Sequence, residues 1–259
     1  MPSPAPGAAP GGAPGAARGA SPSARDHYAA GRLDAAIDAL GAELRSHPLD
    51  AQRRSFLFEL LSFAGQYDRA AKQLSVLASG GHMAEAGTLV YKAAIGNERV
   101  REHMFATGDF PRGDAPEPVA GTLNGRPFAR ITDADPRLGA RLEVFAGGRY
   151  LWLPFAHLAS LRMEAPERLR DVHWPPARLA TGPSVRDLEL GEVLLPALTP
   201  AAWRHGDDEV RLGRATDWDD LPDGDFAPVG QKLLRVDDDL VPLLDVRELV
   251  ITPAGPPAS

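Results

Sequence analysis

The chain has 259 residues, 44% of them hydrophobic, with 35 acidic against 28 basic side chains for a net charge of −7, and it contains no cysteine. Disulfides, thiolate metal sites and cysteine nucleophiles are therefore excluded, and a negative balance without any run of Lys or Arg excludes a general nucleic-acid binder. No window reaches the ~18 consecutive apolar residues of a membrane span, and the length suits two ordinary domains.

Residues 1–22, rich in Ala, Pro and Gly, lack the basic start and leucine-rich core of a signal peptide and read as a flexible tail, as do residues 253–259. Together with the missing cysteines this points to the cytoplasm. Ser23, three residues before Asp26, predicts a capped helix start.

A helical domain is expected over 23–106. AAGRLDAAIDAL (Ala29–Leu40) returns as FAGQYDRAAKQL (Phe63–Leu74), with Ala30, Gly31, Asp34, Ala36 and Leu40 each matched 34 residues later. That period is the tetratricopeptide spacing, in which helical hairpins bury their faces against their neighbours. Leu33, Ala36, Ile37, Leu40 and Leu44 form one apolar stripe, and His47-Pro48 ends that helix. Phe56, Leu57, Leu60, Leu61 and Ala64 form the next, Gly65 turns the chain, and Tyr67, Ala70, Leu74 and Leu77 follow. After Gly80-Gly81 a long helix is predicted over 84–105, with Leu89, Ala93, Val100 and Met104 as its buried face and Gly96-Asn97 as a weak point.

Residues 107–121, rich in Gly, Pro and acid, read as a linker. Beyond it, 122–252 reads as a β-rich domain whose dense prolines favour a small, partly open barrel. Asn124-Gly125 signals a hairpin before a strand at Phe128–Ile131. Asp133, Asp135 and Pro136 predict a turn leading into a short helix with Leu138, Leu142 and Phe145 on one face. Gly147-Gly148 then opens an aromatic strand, Tyr150–Phe155, with two buried faces. Further strands are expected at Leu158–Met163, Val193–Leu195, Val210–Leu212, Lys232–Val236 and Leu249–Ile251.

Asp133 with Asp135, joined by His157 or His173, is the best enzyme candidate, because paired carboxylates and an imidazole can hold a metal or share proton transfer. The bland reading is a capped turn. No serine has a G-x-S-x-G setting and no glycine loop resembles a phosphate cradle. Asp237-Asp238-Asp239 lacks the spaced ligands of a calcium loop and reads as a hairpin turn. Trp152 and Trp174 are expected in the core; Trp203 and Trp218, in polar surroundings, have exposed anchors as a second reading beside core packing. Arg53-Arg54 reads as a solvated pair or a contact for an acidic partner.

The ordered segments GRLDAAIDAL with the following HP, SFLFELLSFAGQYDRAAKQL, ITDADPRLG, GRYLWLPF, RLRDVHWPPA, LGRATDW, GQKLL and PLLDVREL resemble the ImpE/TagJ family, accessory proteins of the bacterial type VI secretion system. The resemblance covers most of residues 26–250. It implies an α+β chain in two parts, tetratricopeptide-like helical hairpins followed by a β-rich domain with partial SH3-like barrel character. It also implies a non-enzymatic adaptor without a cofactor, which binds the N-terminal helix of the small contractile-sheath subunit and is linked to the AAA+ ATPase that recycles the sheath. Two departures stand out: longer members carry a further helical hairpin where this chain has 107–121, and LPALTPAAW (Leu195–Trp203) lacks a tyrosine-rich turn. By repeat register, Gln52, Ser55, Glu59, Ser62 and Phe63 face the concave side of the second hairpin and are the candidate partner contacts.

Overall fold

The computed structural model describes residues 22–80, 82–111, 113, 115–182, 185 and 190–252. Apart from Pro22, the two expected tails lie outside these residues.

Helices come first. α1 (Ala24–Ala29) is closed by a capping box: Ser23 Oγ accepts from the Asp26 N–H at 3.3 Å and the Asp26 carboxylate accepts from the Ser23 N–H at 2.8 Å. α2 (Leu33–Ser46) buries the stripe read from its spacing and stops before Pro48. α3 (Ala51–Phe63) starts at Asp50, whose side chain accepts from the Arg53 N–H at 2.9 Å. α4 (Tyr67–Ala78) and α5 (His82–Thr107) follow, and each helix packs on the one before it.

The 34-residue correspondence holds in space. Ala36 and Ala70 are fully buried, as are Leu40 and Leu74. Gly31 and Gly65 share positive φ values of 68° and 65°, which glycine adopts without a Cβ clash. A Cβ on Gly65 would lie 2.4 Å from the Trp203 ring, and one on Gly31 would lie 2.2 Å from the Glu209 carboxylate. Both corners are thus places where the β-rich half rests on the helices.

α5 departs from expectation. It runs unbroken across Gly96 and Asn97, and Leu89 and Val100, expected inside, are 60% and 51% exposed. Its buried side carries Ala94, Ile95, Asn97, Glu98 and Arg101 instead. The reason is that this helix meets charged groups of the β-rich half, so its inward face is polar.

In the β-rich half, β1 (Gly121–Leu123), β2 (Arg126–Phe128), β4 (Arg141–Ala146), β5 (Arg149–Pro154), β6 (Leu158–Met163), β7 (Pro176–Thr181), β8 (Gly191–Leu194) and β13 (Glu248–Ile251) form an antiparallel sheet ordered β2-β1-β13-β6-β7-β8-β4-β5. Asn124 and Gly125, and likewise Gly147 and Gly148, have positive φ at both turn positions, as two-residue type I′ hairpins require. β3 (Ile131–Asp133), β11 (Leu233–Val236) and β12 (Asp239–Pro242) make a second sheet, and β9 (Thr216–Asp220) pairs with β10 (Phe226–Gly230).

Among the described residues these sheets form no closed barrel. The large sheet ends at β2 and β5, and Pro127 and Pro154 lie on those end strands, where a missing N–H is tolerated. Edge position also explains why Tyr150, Leu151 and Trp152 are only half-buried. Two segments change type. Arg141–Ala146 is a strand instead of part of a helix, because all its residues but Arg141 are buried and a strand covered on both faces loses its period-two signature. The strand expected at Val210–Leu212 is largely α7 (Asp208–Arg211), started by Asp207, whose side chain accepts from the Glu209 N–H at 2.9 Å.

The halves share a core. One apolar cluster fills the sheets, and the other, around the helices, also takes Phe145, Trp174, Leu194, Leu198, Ala202 and Leu212. Trp174, fully buried, sits 6.2 Å from Phe58 and 6.1 Å from Tyr91 between ring centroids and donates its indole N–H to Glu98 at 2.9 Å. Trp203 is no exposed anchor: it covers Gly65 and donates to Glu102 at 2.8 Å. Trp218 remains 37% exposed, and Trp152 is half-buried against Phe105 and Phe110, so the 107–121 connection carries packing of its own.

Beneath Trp152 runs a buried ionic chain. Arg101, 1% exposed, forks onto Glu143 at 2.6 and 2.8 Å and reaches Glu98 at 3.2 Å. Lys232 Nζ lies 2.5 Å from Glu143 and 2.6 Å from Asp133. Tyr150 donates its hydroxyl to Glu143, and the Trp152 N–H donates to Tyr150. Burial alone would raise the Glu143 carboxyl, but Arg101 and Lys232 overcome it and hold the group at about 2.

Arg101→Met would leave Glu98 and Glu143 without their shared cation. The expected cost is about 3–5 kcal/mol in a urea unfolding curve. Gly65→Ala, forced into positive φ and into Trp203, should cost at least about 1–2 kcal/mol in the same measurement.

Candidate docking groove

The groove begins with a short arm of the β-rich half. The Asp171 carboxylate accepts from the backbone N–H groups of Glu167 and Arg168 at 3.2 and 2.9 Å, starting α6 (Leu169–His173). Trp174 then plugs the arm into the helices, and α6 packs on α3.

Under this arm lie two hollows. The first, about 680 Å³, is lined by Arg25 and Tyr28 of α1, by Gln52, Ser55, Phe56 and Glu59 of α3, and by Arg168 and Arg170 of the arm. The second, about 590 Å³, is lined by Phe58, Leu77, Val90 and Tyr91 among others. Ala51, Ser55, Arg168 and Arg170 border both, so the two run together as one trough across α3.

Arginines rim the trough. The Arg25 guanidinium lies over the Phe56 ring at 5.0 Å and that of Arg170 over the Tyr91 ring at 5.3 Å. Arg170 Nη1 is 3.6 Å from Glu59 Oε1, and the buried Arg170 Nε has no hydrogen-bond partner among the described residues. Glu59, 9% exposed, sits at the floor; burial pushes its carboxyl up to about 7 against the attraction of Arg170.

The candidate contacts divide. Gln52 is exposed on the rim, Ser55 is half-buried where the hollows meet, and Glu59 lines the floor. Ser62 and Phe63 are 1% exposed: Ser62 donates to the Phe58 carbonyl at 2.9 Å, and the Phe63 ring lies 4.9 Å from that of His173. Both are enclosed by the chain itself, since α3 is buried from Phe56 to Phe63. Arg53 pairs with Glu43 and Asp50, and Arg54 holds Gln73 and the Pro48 carbonyl, so both arginines have partners within the chain. Repeat spacing gives no hint of the arm. Its sequence signal was RLRDVHW, two arginines leading into a buried tryptophan.

The carboxylate pair is engaged elsewhere. Asp133 is held by Lys232 and accepts from the Asp135 N–H at 2.9 Å; Asp135 accepts the Arg137 N–H at 3.0 Å and its guanidinium at 2.8 and 2.7 Å. His173 lies in the helical core 3.7 Å from Glu98, while His157 is in the turn before β6. Among the described residues no three His, Cys, Asp or Glu side chains gather as metal ligands, and no helix is long and apolar enough to cross a membrane. Asp237 accepts from the Ala129 and Arg130 N–H groups, fastening the β11–β12 turn.

Comparison with known proteins follows this geometry. Residues 125–250 match the family model described as ImpE protein. The type VI secretion system accessory component TagJ of Pseudomonas aeruginosa is 38% identical over 258 residues, spanning 86% of this chain and 89% of that protein. The crystal structure of protein VPA1032 from Vibrio parahaemolyticus shares the fold, with a TM-score of 0.73 at 21% identity over 89% of this chain and 98% of that one.

Glu59 supplies a test of the groove's electrostatics. Its folded pKa of about 7 exceeds the ordinary 4.5, so the native state binds the extra proton and loses stability as pH rises from about 4.5 through 7. Glu59→Gln should flatten that part of the stability–pH curve by up to roughly 3 kcal/mol, read from urea midpoints at several pH values.

Proposed function

Because the chain belongs to the ImpE/TagJ family of type VI secretion accessory proteins, we propose that it is a non-enzymatic cytoplasmic adaptor. Its helices act as tetratricopeptide-like units whose concave side is the trough, and the β-rich half, partly SH3-like in character, supplies the arm that roofs it. The trough captures the N-terminal helix of the small contractile-sheath subunit, and the complex assists recruitment of the AAA+ ATPase that disassembles the sheath.

The observation that carries this reading is the continuous trough under the arm, with Phe56, Leu77 and Tyr91 beside Glu59 on its floor and polar edges at Gln52 and Ser55. Amphipathic helices dock by laying their apolar face into such a channel. A short helix ordered on docking forfeits roughly 2–5 kcal/mol, so the affinity belongs on the order of micromolar.

A pull-down with the purified small sheath subunit tests it. The intact subunit should be retained and one lacking its N-terminal helix should not. Ser55→Arg, which fills the junction of the two hollows from a half-buried site, should lower retention at least about tenfold at an unchanged Tm. Equal retention of the truncated subunit would place the contact outside the trough.

A further inference from the structure

The rim of the trough is cationic in a chain of net charge −7. Arg25, Arg168 and Arg170 line it against two carboxylates, Glu59 and Glu167. Glu59 is nine-tenths buried and faces Arg170, and the Asp171 carboxylate accepts from the Glu167 and Arg168 backbone N–H groups, which leaves Glu167 as the exposed counter-charge. Elsewhere Arg53, Arg101, Arg137 and Arg211 each find a carboxylate within 3.2 Å, whereas among the described residues Arg25 and Arg168 make no ion pair.

The geometry of these arginines is that of a clamp awaiting an acceptor. Arg25 and Arg170 are laid over aromatic faces, which limits their rotamers. Arg170 Nε is buried with no acceptor among the described residues, and a buried donor left unpaired costs about 1–3 kcal/mol. Next to this cationic rim the second hollow is lined by Leu77, Val90 and Tyr91, and Val90 is 50% exposed.

We infer that the occupant of the trough is an amphipathic helix whose polar side carries carboxylates toward the rim, where Arg168 and Arg170 of the arm and Arg25 of α1 grip them, and that the trough rejects a helix with a basic polar side. Selection by the rim adds to apolar burial: forked guanidinium–carboxylate bonds fix orientation, and a misplaced lysine meets like charge. The inference rests on the trough being the docking site proposed above.

The test uses the full chain and three labelled synthetic peptides of about five helical turns. They share one leucine-rich face and carry Glu, Gln or Lys on the other, and binding is read by fluorescence anisotropy. The Glu peptide should bind at least tenfold tighter than the Gln peptide and the Lys peptide more weakly than either. That advantage should shrink as salt rises from about 50 to about 500 mM. It should vanish in the Arg25→Gln, Arg168→Gln double variant, whose Tm should match the parent because both side chains are exposed. Arg168→Glu should move the preference toward the Lys peptide.

Capture of the sheath subunit and the peptide preference are then compared in the parent chain. Retained sheath subunit with no preference among the peptides would overturn the clamp and leave the adaptor reading standing. Loss of both would overturn the two together. Concentration-dependent self-association abolished by Arg168→Gln would seat a second copy of the chain in the trough and likewise overturn the inference.

Discussion

The salt-bridged chain from Glu98 through Arg101, Glu143 and Lys232 to Asp133 fixes how the two halves meet. Glu98 and Arg101 come from α5, while Glu143, Lys232 and Asp133 come from the sheets, and the side chains of all five are at most 3% exposed. Such a chain contributes little net stability over an apolar core of equal volume, since each ion gives up its hydration. What it enforces is register, because a one-residue slip of either partner strands a charge in a dry interior. Three carboxylates share two cations here, and the surplus falls on Asp133, whose carboxyl burial raises to about 6, with Glu143 adding to the rise and Lys232 opposing it.

With the halves locked in this way, the arm has a defined position over the helices. Asp171 shapes its start, His173 meets Phe63, and Trp174 fills the space between Phe58 and Tyr91. The arginines carried on that arm then face α1 and α3 across the trough. Local capping, core packing and surface charge are therefore one continuous construction, in which the buried aromatic residues set where the exposed cations stand.

Much of the helical half was legible because its signals are local. The 34-residue period, the turn glycines Gly31 and Gly65, the proline after α2 and the Ser23 cap each act within a few residues. Hairpins at Asn124-Gly125 and Gly147-Gly148 were legible for the same reason. Periodicity failed where a neighbour from far along the chain decided the outcome. α5 turns Glu98 and Arg101 inward because Glu143 and Trp174 wait there, and hydrophobic spacing has no sign for a polar face buried by partners 42 and 76 residues away. β4 is covered on both sides, which erased its alternation. Of the residues taken from repeat register, Gln52, Ser55 and Glu59 line the groove while Ser62 and Phe63 are enclosed, and no local signal announces the arm that folds back over α3.

Trp174 gives the molecule one more property. A receptor surface made from two distant stretches of chain is not a portable module: cutting out the helices would strip away the roof and uncover Phe58, Tyr91 and Glu98, which the indole now shelters. The reverse freedom is large. Because Pro166, Glu167 and Arg168 lie between β6 and α6, outside every helix, a lineage can retune what it recognises by editing these three positions of a loop while the scaffold beneath stays as it is.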